Sequence, residues 1–205
     1  MVAGDGLLYY VTGRGRKTID GENGMSAIME QLKADHGNIS RLLATLEEQI
    51  SVVHAEENAD FELMYDIMLY MTHYPDHTHH PMEDLVFRKL VSHDDSAEDV
   101  VTQLAREHEG LAEKGRHFRE MLRHVVDGAM VERDVLEKTG RDYVAFLRSH
   151  MEIEDSDAFP RAEQALSAKD WDDVASSIEA RIDPIFGPIV ADEFRSLYEY
   201  IQRES

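Results

Sequence analysis

Four histidines, His36, His79, His108 and His150, stand at intervals of 43, 29 and 42 residues, and two of them carry a glutamate four positions on: His79 with Glu83, and His150 with Glu154. At that spacing on a helix the two side chains of a pair lie side by side and reach one ion together. A carboxylate also has two oxygens and can bridge two ions. The chain has no cysteine, which excludes disulfides, thiolate zinc sites, iron–sulfur ligation and thiol nucleophiles. Any bound metal is therefore held by imidazole nitrogen and carboxylate oxygen. Such donors suit iron, manganese or zinc, and a dinuclear site with bridging carboxylates puts iron ahead of zinc or manganese.

Eleven histidines in a chain with 42 acidic residues produce such pairs by chance, so phase is the stronger argument. His36 falls in the series Ile28, Leu32, His36, Ile39, Leu43, Leu46, Ile50, where apolar residues recur at steps of three and four. His79 falls in a second series from Phe61 to Leu90, His108 in a third from Val101 to Val125, and His150 in a fourth from Leu136 to Ile153. Four histidines converging on one apolar interior cost much desolvation unless something binds them.

The densest stretch, "HYPDHTHHPMED", places four histidines between His73 and Asp84. Phase narrows it to His79 and Glu83. His80 lies about 100° around a regular helix from His79 but only three residues before Glu83, which leaves it open as an extra ligand or an outer donor. His73 and His77 are assigned to solvated surface, as are His54, His93, His117 and His124 outside the stripes. Tyr74 and Tyr143 are read as packing residues. Pro75 and Pro81 fall inside the second helix, where each removes a backbone hydrogen bond at a cost of about 3 kcal/mol in a regular interior. The expectation there is a kink or a π-bulge.

Four amphipathic segments, with polar connections around 54–60, 92–99 and 127–134, predict an all-α, up-down-up-down four-helix bundle over residues 25–165. Residues 1–24 hold six of the twelve glycines and read as a flexible extension, with Met25 opening the folded part. The GRGR stretch in it lacks the strand and helix of a phosphate loop. Residues 166–205 read as a C-terminal helical extension, one helix running through Trp171 and another over Val190–Arg203, packed on the bundle. The formal charge of −21 repels nucleic acid and anionic membrane surfaces and attracts cations. No apolar run approaches the ~18 residues of a membrane span, and the N-terminus lacks a secretory signal, so a soluble cytoplasmic protein is expected. Neither a protein partner nor an oligomeric state is indicated.

The segments "ADHGNISRLL", "HYPDHTHHPMEDLVF", "REHEGLAEKG" and "HMEIEDSDAFP" together resemble hemerythrin-like proteins of the HHE cation-binding family, and "KDWDDVASSIEARIDPIFG" resembles the tail of some members. The resemblance implies a left-handed bundle around two non-haem iron ions, bridged by carboxylates and by an oxo or hydroxo group. It assigns as metal ligands His36 from the first helix, His79 and Glu83 from the second, His108 from the third, and His150 and Glu154 from the fourth. Asp155, five after His150, competes with Glu154 as the bridging group, although Glu154 better matches the four-histidine, two-glutamate pattern of members linked to nitric-oxide stress and iron-centre repair. Members that carry dioxygen have a second histidine four residues after the first on the third helix. Ala112 stands there in this chain, which argues against reversible oxygen carriage and leaves a coordination position open. The repair proteins also carry a cysteine-containing N-terminal module, which this chain lacks. The expected function is a di-iron protein that binds or reduces dioxygen, nitric oxide or peroxide, with Met68, Met82, Phe146 and Ile153 excluding water. The alternative is iron sensing, storage or delivery without turnover.

Overall fold

Apolar residues at helical spacing bury one stripe of each helix, and the computed structural model shows where those stripes meet. It describes residues 21–55, 58–178 and 182–204. Most of the expected extension, residues 1–20, lies outside the described residues, and the first helix, α1 (Gly21–His54), starts four residues ahead of Met25.

The second rod is α2 (Phe61–Met71), capped by the Asp60 carboxylate on the Leu63 amide, followed by a π-turn at Pro75–His79 and by α3 (His80–His93). The expected interruption thus takes the form of a π-turn, in which the His80 amide reaches back to the Pro75 carbonyl. Pro81 then falls in the first turn of α3, directly after the π-turn. The third rod is α4 (Glu98–Val126). It ends in a Schellman turn, with Gly128 at φ 82°, its amide on the Val125 carbonyl and the Ala129 amide on the His124 carbonyl.

The fourth rod repeats the device of the second. After α5 (Arg133–Ile153) a π-turn at Glu154–Ala158 carries the Phe159 amide to the Glu154 carbonyl, and α6 (Phe159–Ala165) follows with Pro160 in its first turn. This second π-turn was not expected from the sequence. The rods pack in cyclic order, α1 beside α2, α2 beside α4, α4 beside α5, and α5 beside α1. Gly140 permits close approach, since a Cβ there would lie 2.7 Å from Phe118 Cζ and 2.8 Å from Ile50 Cδ1.

Two apolar clusters fill the interior. One gathers Ile39 to Val53 with Leu63 to Tyr74, Leu111 to Leu122 and Leu136 to Met151; the other gathers Ile28 to Leu32 with Met82 to Leu90, Leu104 and Ala158 to Val174. In every rod one candidate ligand, His36, His79, His108 or Glu154, falls in the gap between the two, and Glu83 and His150 stand one residue past its edge. A polar layer therefore divides the core.

The C-terminal segment packs on this frame. α7 (Ala168–Ser177), opened by a capping box of Ser167 and Asp170, lies against α1 and α3 and buries Trp171 and Val174. The expected helix over Val190–Arg203 is shorter, α8 (Arg195–Glu204), preceded by a 3₁₀ turn at Asp192–Phe194 and docked on α2. Among the described residues there is no strand, and no helix is long and apolar enough to cross a membrane.

Candidate metal centre

The polar layer brings together all six residues singled out by phase and resemblance, His36, His79, Glu83, His108, His150 and Glu154, each buried. The two glutamates lie fully inside and divide their oxygens between two groups of histidines. Glu83 turns Oε1 to His36 Nε2 at 3.4 Å and His79 Nε2 at 3.0 Å, and Oε2 to His108 Nε2 at 3.4 Å. Glu154 turns Oε2 to His36 Nε2 at 3.3 Å, and Oε1 to His150 Nε2 at 3.2 Å and His108 Nε2 at 3.5 Å. Of the two acids weighed in the sequence, Glu154 is buried and faces inward, and the half-exposed Asp155 contacts His36 from outside at 3.0 Å.

His80 joins them. It is buried, its ring stacks on His108 at 4.4 Å, and with Glu83, His108 and His150 it forms a cluster whose ligand atoms lie within 4.8 Å of one another. His36, His79 and Glu83 form a second such cluster. The 100° step that set His80 apart from His79 holds for a regular α-helix; across the wider π-turn, adjacent residues 79 and 80 both face inward. His73 and His77 remain exposed and contact each other, as expected of surface residues.

The histidines are also held from behind. The Nδ1 of His79 faces Asp35 at 3.1 Å, that of His108 faces Asp84 at 3.1 Å, that of His150 faces Glu107 at 2.9 Å, and that of His36 faces Asp155 at 3.0 Å. His80 Nδ1 lies 3.6 Å from Asp76. An outer carboxylate on Nδ1 fixes the tautomer, leaves the Nε2 lone pair for a metal and raises the basicity of the ring. Of these five acids only Asp155 was singled out in the sequence, and there as a rival of Glu154 rather than as the partner of His36. A signal was present, because Asp35, Asp84, Glu107 and Asp155 each adjoin an inner residue in the chain.

Seven buried atoms at the centre have no hydrogen-bond partner: Nε2 of His36, His108 and His150, and both carboxylate oxygens of Glu83 and of Glu154. Such atoms are costly in a core, and bound cations would satisfy them. Without a metal, protons must compensate the two carboxylates. Burial works against protonated His36, yet Asp155, Glu154 and Glu83 outweigh it and push its pKa up to about 12. The same balance, of burial against Asp84, Glu154 and Glu83, raises His108 to about 11, and that of burial against Glu83 and Asp35 raises His79 to about 9. Burial and the neighbouring His108 hold His80 well below its ordinary value. Glu154 falls to about 2, because the histidines outweigh both its burial and the repulsion of Glu83. The centre is thus arranged to exchange protons for a cation.

Of the apolar residues expected to exclude water, Met68 and Met82 are buried, whereas Phe146 and Ile153 are only half-buried. The aromatic ring against the centre is Phe159, fully buried and 5.3 Å from the His36 ring.

A model of the hemerythrin HHE cation-binding domain matches residues 27–162. The chain belongs to this family. The match spans all four rods and every residue of the polar layer, and it stops short of α7 and α8. Comparisons with curated proteins and with solved structures return no match. Cation binding follows from membership together with the His and Glu clusters.

Proposed function

We propose that this hemerythrin-family protein holds two iron ions and uses them to bind or reduce a small oxidant or diatomic, dioxygen, nitric oxide or peroxide. The observation that carries the reading is the way Glu83 and Glu154 each divide their two oxygens between two histidine groups. His36 and His79 would hold one ion and His80, His108 and His150 the other, with Glu83 and Glu154 shared between them. Bridged iron supplies electrons and a Lewis-acidic position for a small ligand. The group with two histidines offers fewer protein donors than the group with three, so a small exogenous ligand would find more room on the His36 and His79 side. There Phe159 covers the His36 ring and keeps water out, and Asp35 and Asp155 hold the two imidazoles in place. The anionic surface gathers cations toward the centre.

The test is elemental analysis of the full chain purified without added metal, read beside its absorption spectrum in air and with nitric oxide or peroxide. About two irons per chain, as a two-metal carboxylate site requires, with an absorption change on adding the ligand, support the reading. No metal, or a single zinc, overturns it. Iron that is bound and released without any ligand-dependent change favours storage or delivery instead.

A further inference from the structure

Tyr70 is buried without exposure, and nothing in the metal-centre reading uses it. Its hydroxyl donates to Asp183 Oδ2 at 2.8 Å, a contact between α2 and the C-terminal segment beyond the family-matched residues. Asp183 cannot swing away, because its Oδ1 accepts from the amides of Ile185 and Phe186, both at 2.8 Å. The Tyr70 ring stacks on Tyr74 at 5.8 Å with a 19° interplanar angle, and Phe186 and Phe194 meet it edge-on at 5.9 and 6.0 Å. Tyr74 in turn donates to Asp35 Oδ2 at 3.3 Å, the same oxygen that faces the Nδ1 of His79. A continuous path of ring, hydroxyl, carboxylate and imidazole therefore joins Tyr70 to the centre.

A buried phenol is hard to ionise, and here burial and the neighbouring Asp183 raise its pKa further. It can lose an electron only if its proton leaves at the same time, to a group already in hydrogen-bond contact. Asp183 is such a group, held in place by two amides. Burial also raises the pKa of Asp183, which favours its taking a proton. Tyr143 is also buried, beside Phe118.

We infer that Tyr70 is an electron donor to the metal centre, with Asp183 as its proton acceptor and Tyr74 as the ring through which the electron passes. The inference rests on the proposed reaction with peroxide. Hydrogen peroxide takes up two electrons from the reduced centre and two protons from solvent to give two waters. Tyr70 returns one of those electrons to the centre and passes its phenolic proton to Asp183 Oδ2, becoming a neutral phenoxyl radical enclosed by Tyr74, Phe186 and Phe194. Enclosure by these rings protects the radical.

The test is electron paramagnetic resonance of the iron-loaded full chain, frozen after addition of hydrogen peroxide, with iron oxidation followed by absorption on the same sample. The expected result is an organic radical whose hyperfine pattern narrows when the protein carries ring-deuterated tyrosine. It persists in Tyr143→Phe, disappears in Tyr70→Phe and loses most of its intensity in Asp183→Asn. Tyr70→Phe removes one oxygen and keeps the ring, so iron content is unchanged and the comparison stands even where Asp183→Asn unfolds. Iron oxidised without a tyrosyl signal, or a signal that survives Tyr70→Phe, overturns the inference and leaves the peroxide reading intact. Iron whose absorption does not respond to peroxide removes that reading for peroxide, and the inference with it.

Discussion

His150 Nδ1 lies 2.9 Å from Glu107, and Glu107 is the chain neighbour of His108, whose own Nδ1 faces Asp84 at 3.1 Å. The relation repeats around the bundle. Asp84 adjoins Glu83; Asp35, beside His36, faces His79; and Asp155, beside Glu154, faces His36. Each rod thus contributes an inward ligand candidate and, one residue away, an acid that holds the histidine of the next rod. The four contacts close a ring that follows the cyclic packing order of the helices. The helices and the centre therefore set each other's geometry.

Removing one outer acid frees a histidine on a different rod, and loss of such partners costs roughly 10–100-fold in metal affinity. Glu107→Ala is expected to fall in that range, acting through His150, and half-exposed Asp155→Ala to cost less, acting through His36. Competition against a chelator of known affinity measures both. Equal and negligible effects would show that the imidazoles are positioned by packing alone.

Glu83 touches His36, His79 and His108, so Glu83→Ala is expected to remove iron from both positions, whereas His77→Ala, at an exposed site outside the layer, leaves content unchanged. His80→Ala affects only the group with His108 and His150. Its iron content is expected to fall toward one ion per chain while the His36 and His79 position stays filled. Metal analysis of the three variants decides this, and a His80 variant with full content would place His80 outside the ligand set.

The helices and the convergence of His36, His79, His108 and His150 were legible because apolar stripes report which face turns inward. Pro75 and Pro81 also marked the first π-turn. The second was hidden, since Pro160 reads equally well as the end of a helix. His80 stayed open because phase counting presumes a constant turn, which the π-turn breaks. The outer acids stood in plain view beside the inner residues, but each serves a histidine 24 to 119 positions away. Spacing within one helix carries no information about such a pairing. The bond from Tyr70 to Asp183, 113 residues apart, is invisible for the same reason.

Gly140 sits where α5 meets α1 and α4, and a methyl group there meets Phe118 Cζ at 2.7 Å and Ile50 Cδ1 at 2.8 Å. Both atoms belong to fully buried side chains with little room to retreat. Gly140→Ala gains helix propensity, but overpacking of a tight core costs about 1–3 kcal/mol and outweighs it. The variant is expected to melt at lower temperature with unchanged metal stoichiometry, because position 140 lies about 15 Å along the helix from His150. Thermal melting beside metal analysis checks both parts, and a variant as stable as the parent would mean that α5 shifts freely.

The protons that stand in for a cation make stability and metal binding respond to pH in opposite directions. His79, His108 and His36 have folded pKa values of about 9, 11 and 12 against an ordinary 6.5, so the folded metal-free chain holds more protons than the unfolded one above pH 6.5. Their contribution to stability is complete below 6.5 and is lost as pH rises through about 9 and beyond. Glu154, lowered from 4.5 to about 2, has the reverse dependence: its contribution is present above 4.5 and lost as the pH falls toward 2. The metal-free protein is expected to be most stable between those two ordinary values and to melt progressively lower as pH rises to 9. A cation must displace the imidazolium protons, so the gain in melting temperature on adding metal grows over the same interval, and protons are released into a weakly buffered solution on binding. Paired melting curves of metal-free and metal-loaded protein across that range test the argument. A metal-free melting temperature that climbs from pH 6.5 to 9 would show that these histidines are neutral in the folded chain.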